Sequence, residues 1–128
     1  MKRKHVLAVG LLVVLVVVGG YGIYRLCLPN RAIVRNSSGV AVSSVVLILR
    51  DLDGGWSLQK TIPSLQPGES ITVRHGKNDT SAELRYGIRG TSREHREAYI
   101  DLWRGEGWVF DVQSNGTVKS GYDYPRKE

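Results

Sequence analysis

Two patterns of apolar residues divide the chain, and the first is a single uncharged run from Val6 to Tyr24 that is rich in Val, Leu and Gly. At about 1.5 Å per residue, a helix over this run is roughly 28 Å long, which is close to the hydrocarbon thickness of a bilayer. The run is apolar all round and has no polar face, so it is not typical of a buried helix in a soluble protein. We therefore predict a transmembrane helix over residues 6–24.

The residues that flank this helix predict its orientation. A cationic cap over residues 1–5 precedes it and contains Lys2, Arg3 and Lys4. Positive charge next to a span favours the cytoplasmic side. Tyr21 and Tyr24 lie at the other end of the helix, where amphipathic rings prefer the membrane interface. We expect the rest of the chain to lie outside the cytoplasm, in the periplasm of a bacterium or in the extracellular space.

A cleaved signal peptide is the alternative to a retained anchor, because both begin with a cationic segment and an apolar run. The stretch Gly19-Gly20-Tyr21-Gly22 offers small residues but no A-x-A pattern. The apolar run is also longer than a usual signal core. These observations favour an uncleaved anchor, and a secreted soluble protein remains the alternative.

The second pattern is a series of short alternating segments that predicts β-strands. Ile71 and Val73 alternate with polar residues, the apolar positions from Ala82 to Ile88 alternate with charged residues and a glycine, and Trp108, Phe110 and Val112 occupy alternate positions. Val45–Leu49 is apolar throughout, which suits a central strand that is buried on both faces. Turn residues separate these segments, and Asn115-Gly116 is the strongest hairpin signal. The prediction is an all-β fold, a small immunoglobulin-like β-sandwich of seven or eight strands, with a linker at 25–30, the sandwich at 31–121 and a polar tail at 122–128.

The segment 91–104 permits two interpretations. Thr91-Ser92-Arg93-Glu94 resembles a helix capping box, and apolar residues follow it at helical spacing. Alternation along Ala98, Ile100 and Leu102 fits a strand equally well, and a glycine-rich turn follows directly. We favour a strand.

Charge and cysteine content exclude several classes of protein. The 128 residues include 18 Lys or Arg and 12 Asp or Glu, a formal net charge of +6. Without the three cationic residues of the cap, the remainder carries 15 basic and 12 acidic residues, or +3. That excess is too small to indicate nucleic-acid binding. The single Cys excludes an internal disulfide.

The sequence contains no recognisable catalytic motif, and we expect neither enzymatic activity nor a cofactor or metal. The histidines His75 and His95 are interpreted as solvated loop residues. A metal-dependent hydrolase that uses both of them together with nearby acids is the weaker alternative.

Two features indicate a surface for a protein partner. The charged run Arg89–Glu97 predicts a polar docking loop that contains Arg93 and Arg96. If Ala98, Ile100 and Leu102 face the core, the alternate side chains face outward together. Aromatic residues and arginine dominate protein–protein contacts. The predicted partner-binding residues are therefore Arg93, Arg96, Tyr99, Asp101 and Trp103. The alternatives are that the charged run is a solvated connection and that the aromatic residues are covered and belong to the core.

The order of elements resembles small single-pass bacterial envelope proteins that carry one periplasmic immunoglobulin-like domain. The features that carry this resemblance are the cationic cap, the single span, an Asn36-Ser37-Ser38-Gly39 turn and the turn Leu65-Gln66-Pro67-Gly68-Glu69. The resemblance implies no catalytic residues. We expect a non-enzymatic interaction module anchored in the inner membrane, with an envelope protein as its partner and an accessory, immunity or exclusion role.

Overall fold

The computed structural model describes residues 2–123, with side chains for residues 3–21, 23 and 28–123. It contains one helix followed by eight strands. The elements are α1 (Lys2–Cys27), β1 (Asn30–Asn36), β2 (Val42–Asp51), β3 (Ser57–Leu65), β4 (Ser70–His75), β5 (Asp79–Ile88), β6 (Thr91–Asp101), β7 (Gly107–Val112) and β8 (Val118–Tyr122). The prediction of an all-β sandwich preceded by one apolar helix is confirmed; its immunoglobulin-like classification stays a prediction.

Helix α1 is long and apolar enough to cross a membrane over Arg3–Tyr21, and none of that stretch is buried against the rest of the chain. Its apolar side chains are strongly exposed. The helix extends beyond the predicted span to Cys27, and β1 begins at Asn30, so only Leu28 and Pro29 join the two. Among the residues that predict the membrane topology, Lys2 and Tyr24 have side chains outside the described ones, and residues 124–128 of the predicted polar tail lie outside the described residues.

The eight strands form two four-stranded sheets that pack face to face. The first sheet has the order β4-β1-β7-β8 and the second has the order β3-β2-β5-β6. All neighbouring strands are antiparallel except β1 and β7, which are parallel. The core between the sheets contains Val34 and Phe110 of the first sheet and Leu47 and Leu84 of the second, all almost fully buried.

Tight turns set the register of two hairpins. Arg89 and Gly90 both have positive φ, 51° and 76°, in the two-residue connection between β5 and β6. That backbone matches the twist of the strands it joins. The predicted hairpin at Asn115-Gly116 is confirmed between β7 and β8, and Gly116 has φ of 84° there. The Asn115 side chain accepts a hydrogen bond from the amide of Thr117 at 3.0 Å.

Strand β6 resolves the ambiguous segment in favour of a strand, but its register differs from the predicted alternation. Thr80 pairs with Ile100 whereas Ala82 pairs with Glu97, so β6 holds one extra residue at this point. Such a bulge reverses which residues face the core on either side of it. Ala98, which we expected to be in the core, is therefore exposed, while Ile100 and Leu102 are buried as expected.

Candidate functional site

The outer face of the second sheet carries a cluster of alternating charges, which we call the arginine face. Antiparallel pairing sets Glu83 of β5 opposite Arg96 of β6 and sets Arg85 opposite Glu94, and β2 contributes Arg50. Residues at alternate positions of adjacent strands share one face of a sheet. The arginine face therefore consists of Arg50, Glu83, Arg85, Glu94 and Arg96.

Glu83 is the centre of this cluster. Its side chain is only 7% exposed and lies 2.7 Å from Arg85 Nη2, 3.5 Å from Arg50 and 3.9 Å from Arg96. The hydrogen bond from Arg85 lowers the pKa of Glu83, against the opposing effect of burial. Glu83 thus stays ionised and holds the three guanidinium groups close together on the surface.

The arginines keep most of their own surface open. The side chains of Arg50 and Arg85 are 52% and 55% exposed, and that of Arg96 is 72% exposed. Arg96 also pairs with Glu94, which raises the pKa of the Arg96 guanidinium. The cluster contains three arginines and two glutamates, so its net charge is positive. This charge can attract an acidic ligand.

A shallow open cavity of about 470 Å³ adjoins the arginine face. It is lined by Arg85 and Glu94, by Gly87, and by hydroxyl side chains that include Ser43 and Ser92. Gly87 forms part of its floor, since a Cβ there would lie 2.7 Å from Ser43 Oγ. The hydroxyl groups and the charged side chains of the lining can donate and accept hydrogen bonds.

Of the five predicted partner-binding residues, four lie from the middle of β6 to the turn that follows it, and only one of these is part of the arginine face. Arg96 belongs to it, and the bulge in β6 allows Tyr99 to reach Asp79 on the outer side of β5, with 3.0 Å between the hydroxyl and the carboxylate. This hydrogen bond raises the pKa of Tyr99. Asp101 ends β6 and Trp103 lies in the next turn, and both are exposed.

Arg93 does not belong to this group. It pairs with Tyr86 in the register of β5 and β6, and its guanidinium lies beside Gly116 at the inner edge of the sandwich. The predicted docking loop is also wrong, because Arg93 and Arg96 both lie within strand β6. An odd spacing along a strand places these two side chains on opposite faces.

The two histidines are not solvated loop residues, nor do they meet. His75 ends β4, is buried, and stacks on Trp56 with 5.9 Å between ring centroids. His95 lies on β6 and contacts Phe110 edge-on. Within residues 2–123, no three His, Cys, Asp or Glu side chains are grouped in a way that suits a metal ion.

A polar cluster that the sequence analysis missed closes the edge between the sheets. Glu97 Oε1 lies 2.8 Å from His95 Nε2 and also accepts a hydrogen bond from the Ser120 hydroxyl of β8. Glu97 alternates with Arg96 of the arginine face, so its carboxylate lies on the inner side of the sheet, as His95 does. Nearby, the Tyr86 hydroxyl donates to the carbonyl of Gly116 at 2.7 Å. The Glu97 carboxylate, the His95 ring and the hydroxyls of Ser120 and Tyr86 all have hydrogen-bond partners. The bond between Ser120 and Glu97 and the bond between Tyr86 and Gly116 each connect one sheet to the other.

The other members of the arginine face were also missed as a group. Arg50, Glu83, Arg85 and Glu94 stand at alternating positions of three segments, and this alternation is visible in the sequence. Only the strand register shows that they meet, because Arg50 and Glu83 are 33 residues apart in the sequence.

Comparison with known proteins yields only weak structural likeness. No protein-family model matches the chain, and no curated protein matches it. An NMR structure of a protein from Eubacterium rectale is similar with a TM-score of 0.49 and 10% identity, over 80% of this chain and 95% of that one. The sugar-binding protein pneumolysin is similar with a TM-score of 0.44 and 11% identity, over 77% of this chain but only 24% of that one.

Proposed function

We propose that this chain is a non-enzymatic interaction module that helix α1 anchors in the inner membrane of a bacterium, with its sandwich in the periplasm. The observation that carries the proposal is the direct connection of an exposed, span-length helix to a complete β-sandwich through Leu28 and Pro29. An apolar helix of this length is stable in lipid but costly in water. Such a tether raises the concentration of the domain at the membrane surface.

The arginine face is the contact surface in this proposal. Exposed arginines give bidentate hydrogen bonds to carboxylates and are frequent in protein–protein contacts. The excess positive charge favours an acidic segment of an envelope protein as the partner. The edges of the second sheet are less suited to binding, because β3 contains Pro63 and β6 is charged and bulged.

A first experiment separates the anchored protein from a secreted one. Cells that express the full chain are fractionated, the membranes are washed with alkaline carbonate, and the N-terminus of the mature protein is determined. We expect the intact chain in the washed membranes. A soluble protein that lacks the apolar segment would refute the anchor, and the same result would establish the secreted alternative.

A second experiment tests the contact surface in intact cells. A photoreactive amino acid is placed at Gln59, an exposed residue of β3 that pairs with Ile48 beside the arginine face. The control position is Thr72, which is exposed on the first sheet. We expect crosslinking to one envelope protein from Gln59 only.

The arginines are then tested in the same assay. Arg96→Ala should abolish the crosslink from Gln59, while Arg74→Ala, which removes an exposed arginine of β4, should leave it unchanged. Equal yields from the two positions, or equal effects of the two substitutions, would contradict the assignment of the contact to this face.

A further inference from the structure

The exposed apolar side chains of the sandwich gather at one end. Among its described residues, the large hydrophobic side chains that remain strongly exposed are Trp103 at 75%, Tyr99 at 54%, Leu52 at 52% and Tyr122 at 42%. Leu52 follows β2, Trp103 follows β6, and Tyr99 and Tyr122 lie near the ends of β6 and β8. We call this the basal end, because β1 begins here at Asn30.

Hydrogen bonds join the turns of the basal end to the first residue of β1. The Asn30 amide donates to the carbonyl of Lys77 at 2.8 Å, and Lys77 pairs with Asp51 at 3.3 Å, next to Leu52. On the other side, the backbone amide of Glu106 donates to Asn30 Oδ1 at 3.3 Å. The Glu106 carboxylate in turn accepts from the backbone amide of Trp103 at 2.7 Å. Leu52 and Trp103 therefore flank the point where the helix joins the sandwich.

The short connection limits the distance between this end and the membrane. Only three Cα–Cα steps separate Cys27 from Asn30, and at 3.8 Å each they span at most about 11 Å. Pro29 restricts the connection further because its φ is fixed. The predicted span ends at Tyr24, so when α1 spans a bilayer the basal end lies within about 16 Å of the hydrocarbon core, close enough for its protruding side chains to reach the headgroup layer. Trp and Tyr rings favour that level because they are apolar with a polar edge.

The charged side chains of the basal end indicate which lipid headgroups it can contact. Among the described side chains, its cations are Arg31, Lys77 and Arg104, whereas its acids are Asp51, Asp53, Asp79, Asp101, Glu106 and Asp123. Negative headgroups would repel this surface, so insertion of apolar side chains must supply the attraction. We infer that the basal end seats Trp103 and Leu52 in the headgroup layer of a membrane rich in zwitterionic phospholipid. This inference rests on the proposed anchoring of α1.

The seating can be tested on the full chain in proteoliposomes of phosphatidylethanolamine that contain brominated acyl chains, which quench nearby indoles. Trp56 and Trp108 are partly buried, so Trp103 should provide most of the quenching. We expect Trp103→Phe to remove more than half of it and Trp108→Phe to leave it nearly unchanged. Replacing part of the lipid by phosphatidylglycerol should not increase the quenching.

The outcomes separate the inference from the proposed function. If the protein stays in the vesicles after an alkaline wash but Trp103 is quenched only by aqueous iodide, the anchor stands and the seating is wrong. Quenching that requires phosphatidylglycerol would overturn the lipid class. Loss of the protein from the vesicles in the wash would refute the anchor itself.

Discussion

Asn36 provides the sharpest test of how the two sheets are joined. It ends β1, is fully buried, and uses both ends of its side-chain amide. Nδ2 donates to the carbonyls of Val40 at 2.7 Å and Leu65 at 2.8 Å, and Oδ1 accepts from the backbone amide of Ser38 at 3.0 Å. The bond to Leu65 crosses from the first sheet to the second.

Replacement of Asn36 by Ala removes all of these partners at once. The carbonyl of Val40 retains the Ser38 hydroxyl at 3.0 Å, so the main losses fall on Leu65 and on the Ser38 amide. A buried polar group that loses its partner costs about 1–3 kcal/mol, so the two together predict a loss of about 2–6 kcal/mol in the free energy of unfolding. That is a large part of the stability of a small domain.

The assay is denaturant unfolding of the full chain in detergent micelles, followed by tryptophan fluorescence. Asn115→Ala is the matched control, because Asn115 also accepts from a backbone amide but is exposed. Its loss should stay below about 1 kcal/mol, since water replaces the partner. Equal losses in the two variants would show that the buried amide does not join the sheets as described.

Three further predictions concern the core, a close backbone approach and pH. Phe110→Ala should cost about 3–5 kcal/mol in the same assay, because Phe110 is fully buried; a loss below 1 kcal/mol would contradict its place in the core. Gly87→Ala should destabilise the protein, and Ser43→Ala should relieve that loss, since Ser43 Oγ lies 2.7 Å from the new Cβ; strictly additive losses would argue against the contact. Burial lowers the pKa of His75 from 6.5, so the unfolded chain binds the proton more readily, and the free energy of unfolding should fall as pH decreases through that value; an unchanged pH slope in His75→Gln would refute this assignment.

The general architecture was predictable because it follows from local patterns. A continuous apolar run that is longer than a soluble helix needs, and alternation interrupted by Gly, Asn and Pro, are properties of neighbouring residues. The same holds for the hairpin at Asn115-Gly116, where a positive φ is required. These features indicated the helix, the β-sandwich and the turn positions without knowledge of the strand order.

The candidate site was predictable only in part. Tyr99, Asp101 and Trp103 are exposed as expected, but Arg93 is separated from Arg96 by the pleat of a single strand. The helical alternative for 91–104 arose from a capping-box pattern and from apolar residues at helical spacing, and the assumed alternation from Ala98 to Leu102 did not include the bulge. Local patterns carry no information about where a partner strand gains or loses a residue, so they cannot locate such a bulge.

The amino-acid sequence by itself determined the apolar helix, the β-sandwich class and the positions of the glycine-containing turns. Only the tertiary structure decided that Glu83 gathers three arginines, that Glu97 turns inward to His95 and Ser120, and that Leu52 lies at the same end as Trp103. The reason is physical: these groups meet through the register and stacking of strands that are distant in the sequence. Register depends on pairing and packing across the whole sandwich, whereas helix and strand formation depends largely on adjacent residues.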